Sequence, residues 1–206
     1  MHTEPLVLKT SDGLALQAEL RVPDEPWAAA VLAHPHPQHG GNMRSIVPGA
    51  LFDALPPAGV AALRFNFRGV GGSEGSFGEG AAERLDVVAA IDELAGITEG
   101  LPLLVAGWSF GADTSLAVGD ERISGWFCAA PPLRFGKVED MVARYDERPK
   151  LLAVPQYDQY RPPDSAREVV ADWVNTRVEV VPGADHFFVG RIERVPPLAL
   201  DFLRSL

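Results

Sequence analysis

The sequence predicts an α/β fold in one domain, built on a mainly parallel eight-stranded sheet with helices on both faces and an antiparallel start. Three observations predict it. Apolar segments of strand length recur along the whole chain. From residue 28 onward they are continuous rather than alternating, as strands covered on both faces require. Stretches with helical spacing lie between them, so strand and helix alternate through most of the 206 residues.

In order, the segments 6–8 and 14–22 are short and come first without an intervening helix, which makes them the antiparallel start. The run 28–33 is wholly apolar and is followed by a helix over 46–55. A strand over 60–67 leads through a glycine-rich loop to a helix over 79–94, whose apolar residues fall at 82, 85, 88, 91 and 94/95. The strand 101–106 runs into the helix 110–118. The strand 123–130 holds Cys128, which reads as a small buried residue rather than a thiolate nucleophile, because no electropositive neighbour is supplied. Strands over 151–155 and 177–181 alternate with helices over 164–174 and 192–206.

Ligands of such sheets bind beyond the carboxyl ends of the strands, so the chemistry is expected in the loops at 34 onward, 66–80, 108–109, 130–135, 156–160 and 182–188. The most specific of these is Gly107-Trp108-Ser109-Phe110-Gly111. A serine at the apex of a sharp strand-to-helix turn is held in a strained backbone conformation, with glycines two positions away on each side so that strand and helix can approach. Ser109 is therefore the candidate nucleophile.

A serine alcohol needs a base, and the base needs an orienting carboxylate. His186 follows the last strand and precedes the final helix, at the right end of the sheet. Asp158 is the first acidic residue after the strand 151–155, and Ser109, Asp158, His186 is the chain order of one sheet-borne triad. Asp185 is the alternative acid, although adjacent loop side chains tend to diverge. Two N–H donors must face the developing oxyanion. The backbone of Phe110, at the start of the helix, is the first. In His34-Pro35-His36-Pro37-Gln38-His39-Gly40-Gly41 the prolines have no N–H, which leaves the backbone of His36 as the second. The three histidines of this loop have no Cys or acidic residue close by in sequence and the prolines hold it extended, so a structured loop is expected rather than a metal site. The glycine-rich loop 69–78 matches neither phosphate-binding pattern and is read as a flexible or tightly turning loop at the rim. Arg68 is expected to fix that loop through an ion pair, with an anionic substrate group as the alternative partner.

Composition narrows the class. With 47% hydrophobic and 22% charged residues the chain has the make-up of a soluble globular protein, and its apolar runs fall far short of a membrane span. Net charge −10 opposes binding to nucleic acid. The amino terminus has no basic start followed by an apolar run, so the expected location is cytoplasmic.

Four segments together resemble the α/β-hydrolase superfamily over nearly the whole chain: His34-Pro35-His36-Pro37, Arg64-Phe65-Asn66-Phe67-Arg68-Gly69-Val70-Gly71, Gly107-Trp108-Ser109-Phe110-Gly111-Ala112 and Pro182-Gly183-Ala184-Asp185-His186-Phe187-Phe188. The first two are most similar to its small dienelactone-hydrolase-like branch. The resemblance implies Ser109 as nucleophile, Asp158 as acid, His186 as base and Phe110 and His36 as oxyanion donors, with no cofactor. Dienelactone hydrolases proper carry cysteine as nucleophile. The acid loop of relatives has a glycine shortly before the Asp, where this chain reads Val154-Pro155-Gln156-Tyr157-Asp158. Only residues 131–149 separate the sixth and seventh strands, where larger relatives insert a cap. No large cap is therefore expected, and a shallow site for small acyl groups follows, with Trp108, Phe187 and Phe188 either lining it or packing in the core. The expected activity is hydrolysis of a small carboxylic ester or thioester. The alternatives are a catalytically silent binding protein on the same fold and a peptidase using the same residues.

Overall fold

In the computed structural model, which describes residues 2–206, eight strands form one sheet: β1 Glu4–Lys9, β2 Ala15–Arg21, β3 Ala28–Ala33, β4 Val60–Phe65, β5 Leu103–Trp108, β6 Ile123–Ala129, β7 Lys150–Tyr157 and β8 Thr176–Asp185. Their spatial order is β1-β2-β4-β3-β5-β6-β7-β8. β1 pairs antiparallel with β2, and β2 antiparallel with β4; every pairing from β4 across to β8 is parallel. The expected sheet, including its antiparallel start, is present.

The continuous apolar runs have a simple cause. Along β3, Ala29, Val31 and Ala33 join one hydrophobic cluster and Ala28, Ala30 and Leu32 the other, so a strand with both faces covered has no position left for a polar side chain. Two helices, α2 Glu83–Ile97 and α3 Phe110–Leu116, cover the first face together with α4 Pro163–Val169. Helices α1 Ile46–Ala54 and α5 Val195–Leu203 cover the second.

The helix over 79–94 needs correction. Glu79 has φ +57 and α2 begins only at Glu83. Its buried residues are Glu83, Asp86, Val87, Ala89, Ala90, Ile91 and Leu94; Ile91 and Leu94 belong to the apolar stripe expected from the sequence and Val88 and Ala95 pack against the same core, whereas Glu83, Asp86, Val87 and Ala90 widen the face to one side. Hydrophobic spacing missed this widening because it includes two carboxylates, each satisfied locally: Glu83 accepts the N–H groups of Gly78 and Gly80 at 2.7 and 2.8 Å, and Asp86 takes Arg68. Likewise α4 stops at Val169, and α5 starts at Val195 after a single 3₁₀ turn over Ile192–Arg194.

Between β6 and β7 the chain forms only short 3₁₀ turns at Val138–Asp140 and Val142–Tyr145. Among the described residues no cap domain covers the carboxyl ends of the strands. Among the described residues, no helix is long and apolar enough to cross a membrane.

Candidate active site

Ser109 sits between β5 and α3 with φ +54 and ψ −119, a conformation that costs energy for any residue with a Cβ. Neighbouring bonds hold it there. Its N–H donates to the Ala129 carbonyl at 3.0 Å, and its carbonyl accepts the N–H groups of Ala112 and Asp113 at 2.9 and 3.1 Å. The flanking glycines are needed for space: a Cβ on Gly107 would lie 2.4 Å from the Gly111 carbonyl oxygen, and one on Gly111 would lie 2.5 Å from that of His34.

The structure brings the three distant side chains together. Ser109 Oγ lies 2.9 Å from His186 Nε2, and His186 Nδ1 lies 2.8 Å from Asp158 Oδ2. All three residues are buried. The other oxygen of Asp158 accepts the N–H groups of Tyr160 and Arg161 at 2.8 and 3.0 Å, which pins the carboxylate. Asp185 is turned away: its Oδ1 accepts the N–H of Phe187 at 3.1 Å and that of Val189 at 3.4 Å. The His186 ring is further held by its carbonyl, which accepts the Trp108 indole N–H at 3.1 Å, and by the Tyr160 ring, edge-on at 4.5 Å.

Phe110 and His36 both stand beside the serine turn, with ring centroids 5.1 Å apart. Among the described residues neither backbone N–H has an acceptor. The loop bearing His36 is shaped by its neighbours. The Nε2 of His34 accepts the Phe67 N–H at 3.0 Å, so the ring proton sits on Nδ1 and is donated to the Pro35 carbonyl 2.6 Å away. Burial pushes the His34 pKa down to about 4, keeping the ring neutral. Asn66 Oδ1 accepts the Met43 N–H at 2.8 Å. The segment 64–69 therefore braces the loop 34–43. His36 stacks on His39 at 4.4 Å, and burial, then the nearby His39, hold its pKa below the ordinary value. Among the described residues no group of three His, Cys, Asp or Glu side chains is placed to hold a metal ion.

A cavity of about 280 Å³ opens over Ser109, at the small end for ligand pockets. His36, Trp108, His186 and Phe187 line it, together with Ile46, Pro132, Arg134, Phe135 and Tyr160. Phe188 does not: it is fully buried in the second core cluster, because the chain turns there with φ +55 and sends consecutive rings to opposite sides. Arg68 also lies elsewhere, forked onto Asp86 with Nη2 2.7 Å from Oδ1 and paired through Nη1 with Asp12 at 2.8 Å. The glycine-rich loop turns tightly but is pinned to β2, where Glu74 accepts the Ala15 N–H and Ser73 the Gln17 N–H. None of its residues lines the cavity; Phe77 supports the His36 ring from behind at 5.0 Å.

Sequence reasoning missed Tyr160, Arg134, Phe135 and the buried carboxylate of Asp113. Tyr160 had a signal, being two residues past Asp158 on a loop already assigned to the site. Asp113 had none, because nothing in the sequence says which backbone its carboxylate meets.

No protein-family profile matches the chain. It is 29% identical over 193 residues to an uncharacterised protein of Rickettsia prowazekii (strain Madrid E), covering 86% of this chain and 79% of that one. Among solved structures it is similar to an α/β serine hydrolase homologue from Coxiella burnetii, with TM-score 0.86 and 29% identity over 100% of this chain and 98% of that one. A lidless α/β serine hydrolase of Xanthomonas campestris superposes with TM-score 0.88 at 24% identity, covering 100% of this chain and 95% of that one.

Proposed function

We propose, on the premise that this chain belongs to the α/β-hydrolase superfamily, that it is a serine hydrolase cleaving a small carboxylic ester or thioester through an acyl-enzyme, without a cofactor. One observation carries the reading: an alcohol, an imidazole and a carboxylate lie in hydrogen-bonded series, 2.9 and 2.8 Å apart, with the alcohol and the imidazole lining a small cavity and the carboxylate behind them.

In this mechanism Ser109 Oγ attacks the carbonyl carbon as its proton passes to His186 Nε2. Asp158 holds the Nδ1 proton, fixes the tautomer and stabilises the imidazolium. The oxyanion is received by the N–H groups of Phe110 and His36, the former at the positive end of α3. Collapse breaks the bond to the leaving alcohol or thiol, which takes the proton from His186, and the acyl group stays on Ser109. Water then gives a proton to the same Nε2, attacks the acyl carbon and releases the acid with Ser109 restored. The uncapped site and the cavity of about 280 Å³ favour small acyl groups over long lipid chains.

The test is twofold. A fluorophosphonate should label Ser109 alone, and a series of p-nitrophenyl esters and acyl thioesters of rising chain length should show turnover that peaks at short acyl groups. Folded protein that takes no label would instead mark a silent binding protein.

A further inference from the structure

One wall of the cavity is the segment 132–135 after β6, and two charged side chains, one buried and one half-buried, hold it from two sides. Asp113 on α3, fully buried, accepts the N–H groups of Leu133, Arg134 and Phe135 at 3.0, 2.8 and 3.0 Å. Arg161, from the loop that carries Asp158, donates from Nε to the Pro132 carbonyl at 2.9 Å and from Nη2 to the Leu133 carbonyl at 3.4 Å. The backbone N–H of the same Arg161 bonds Asp158 Oδ1. The wall is thus tied both to the helix behind Ser109 and to the loop of the orienting carboxylate. These bonds hold Leu133 at φ +51, a conformation that a non-glycine residue keeps only when its surroundings impose it.

The charged side chain that this clamped segment presents to the cavity, beside Pro132 and Phe135, is Arg134. It is exposed, makes no ion pair among the described residues, and lies with its guanidinium 4.9 Å from the centre of the Tyr160 ring and 5.5 Å from that of Phe135. Among the described residues no Asp or Glu lines the cavity, and Arg134 is its one permanent cation. In a chain with 28 acidic and 18 basic residues this is a local reversal of charge. A cation with no protein partner, held by its backbone and stacked on rings that line the cavity, is arranged to receive a charge from outside.

We propose that Arg134 is the specificity-determining residue of this site and selects esters or thioesters that carry an anionic group, a carboxylate or a phosphate, away from the scissile carbonyl. The proposal rests on the hydrolase reading above and deepens it. The guanidinium pairs with that group through charge-assisted hydrogen bonds, and the binding energy positions the carbonyl over Ser109.

The experiment compares mono-p-nitrophenyl adipate with p-nitrophenyl hexanoate, equal in acyl length and different in one terminal carboxylate, using the full chain and its Arg134→Gln and Arg134→Lys variants. The wild-type protein should prefer the adipate in kcat/KM, and Arg134→Gln should lower the adipate-to-hexanoate ratio about ten-fold, the scale of one charge-assisted hydrogen bond in an exposed setting. The loss should fall mainly in KM, and Arg134→Lys should recover part of it. A ratio that Arg134→Gln leaves unmoved, or a wild-type preference for the hexanoate, overturns the proposal. Fluorophosphonate labelling of Ser109 in the same samples separates the two readings: labelled enzyme with an unmoved ratio sinks the role of Arg134 alone, whereas unlabelled folded protein sinks the hydrolase reading and this proposal with it.

Discussion

The carboxylate of Asp158 meets His186 Nδ1 at 2.8 Å across 28 residues of chain, while Asp185, the immediate neighbour of His186, bonds only the backbone of its own turn. The contrast separates two acids that are equally well ordered in sequence. Asp158→Asn should lower kcat on a p-nitrophenyl ester by about 10³ to 10⁴-fold with little change in KM, because the amide no longer fixes the tautomer that leaves Nε2 free to accept. Asp185→Asn should stay within a few-fold of wild type. Steady-state kinetics of the two variants side by side decide it, and comparable losses in both would refute the assignment.

His34 makes stability depend on pH. Its pKa falls from 6.5 in the unfolded chain to about 4 in the folded one, with burial as the main cause. The unfolded chain therefore binds more protons between these values, so the contribution of His34 is complete above pH 6.5 and is lost as pH falls towards 4. At about 1.4 kcal/mol per pKa unit the whole window is worth about 3 kcal/mol. Urea unfolding at pH 7.5 and pH 4.5 should show wild type losing stability relative to His34→Gln, which has no titration there. Parallel losses in the two proteins would count against it.

Two glycines give opposite expectations. Gly111→Ala forces a Cβ to within 2.5 Å of the His34 carbonyl oxygen, and backbone on both sides must move. It should destabilise by about 3 kcal/mol or more and abolish activity with the serine turn. Gly96, inside α2, has open space around its added Cβ. Gly96→Ala should raise stability by about 0.5–1 kcal/mol. Thermal unfolding of both variants is sufficient, and a stable, active Gly111→Ala protein would show that strand and helix do not approach as described.

Cys128 is fully buried in β6 and burial pushes its thiol well above the ordinary value. The native protein should not react with a thiol-specific disulfide reagent over minutes, and one equivalent should react in denaturant. Rapid reaction in buffer would place the thiol at an accessible site.

The sequence by itself determined the sheet, the serine turn and the order of the three side chains, because these depend on local chemistry. A strand covered on both faces admits only apolar residues, as in β3, and a turn as tight as that at Ser109 admits only glycine at positions 107 and 111. Local chemistry favoured Asp158 over Asp185, because the side chain next to an imidazole in a loop tends to diverge from it, but the directions in which the two carboxylates point were decided by the fold. It also missed part of the buried face of α2, since Glu83 and Asp86 are buried only by virtue of partners at Gly78, Gly80 and Arg68. The bracing of the His36 loop by Phe67 and Asn66, the clamp of Asp113 and Arg161 on 132–135, and the exposure of Arg134 beside Tyr160 were decided by tertiary structure alone. Each joins chain segments that are remote in sequence, and a buried polar group becomes affordable only when folding has delivered the donor or acceptor it needs.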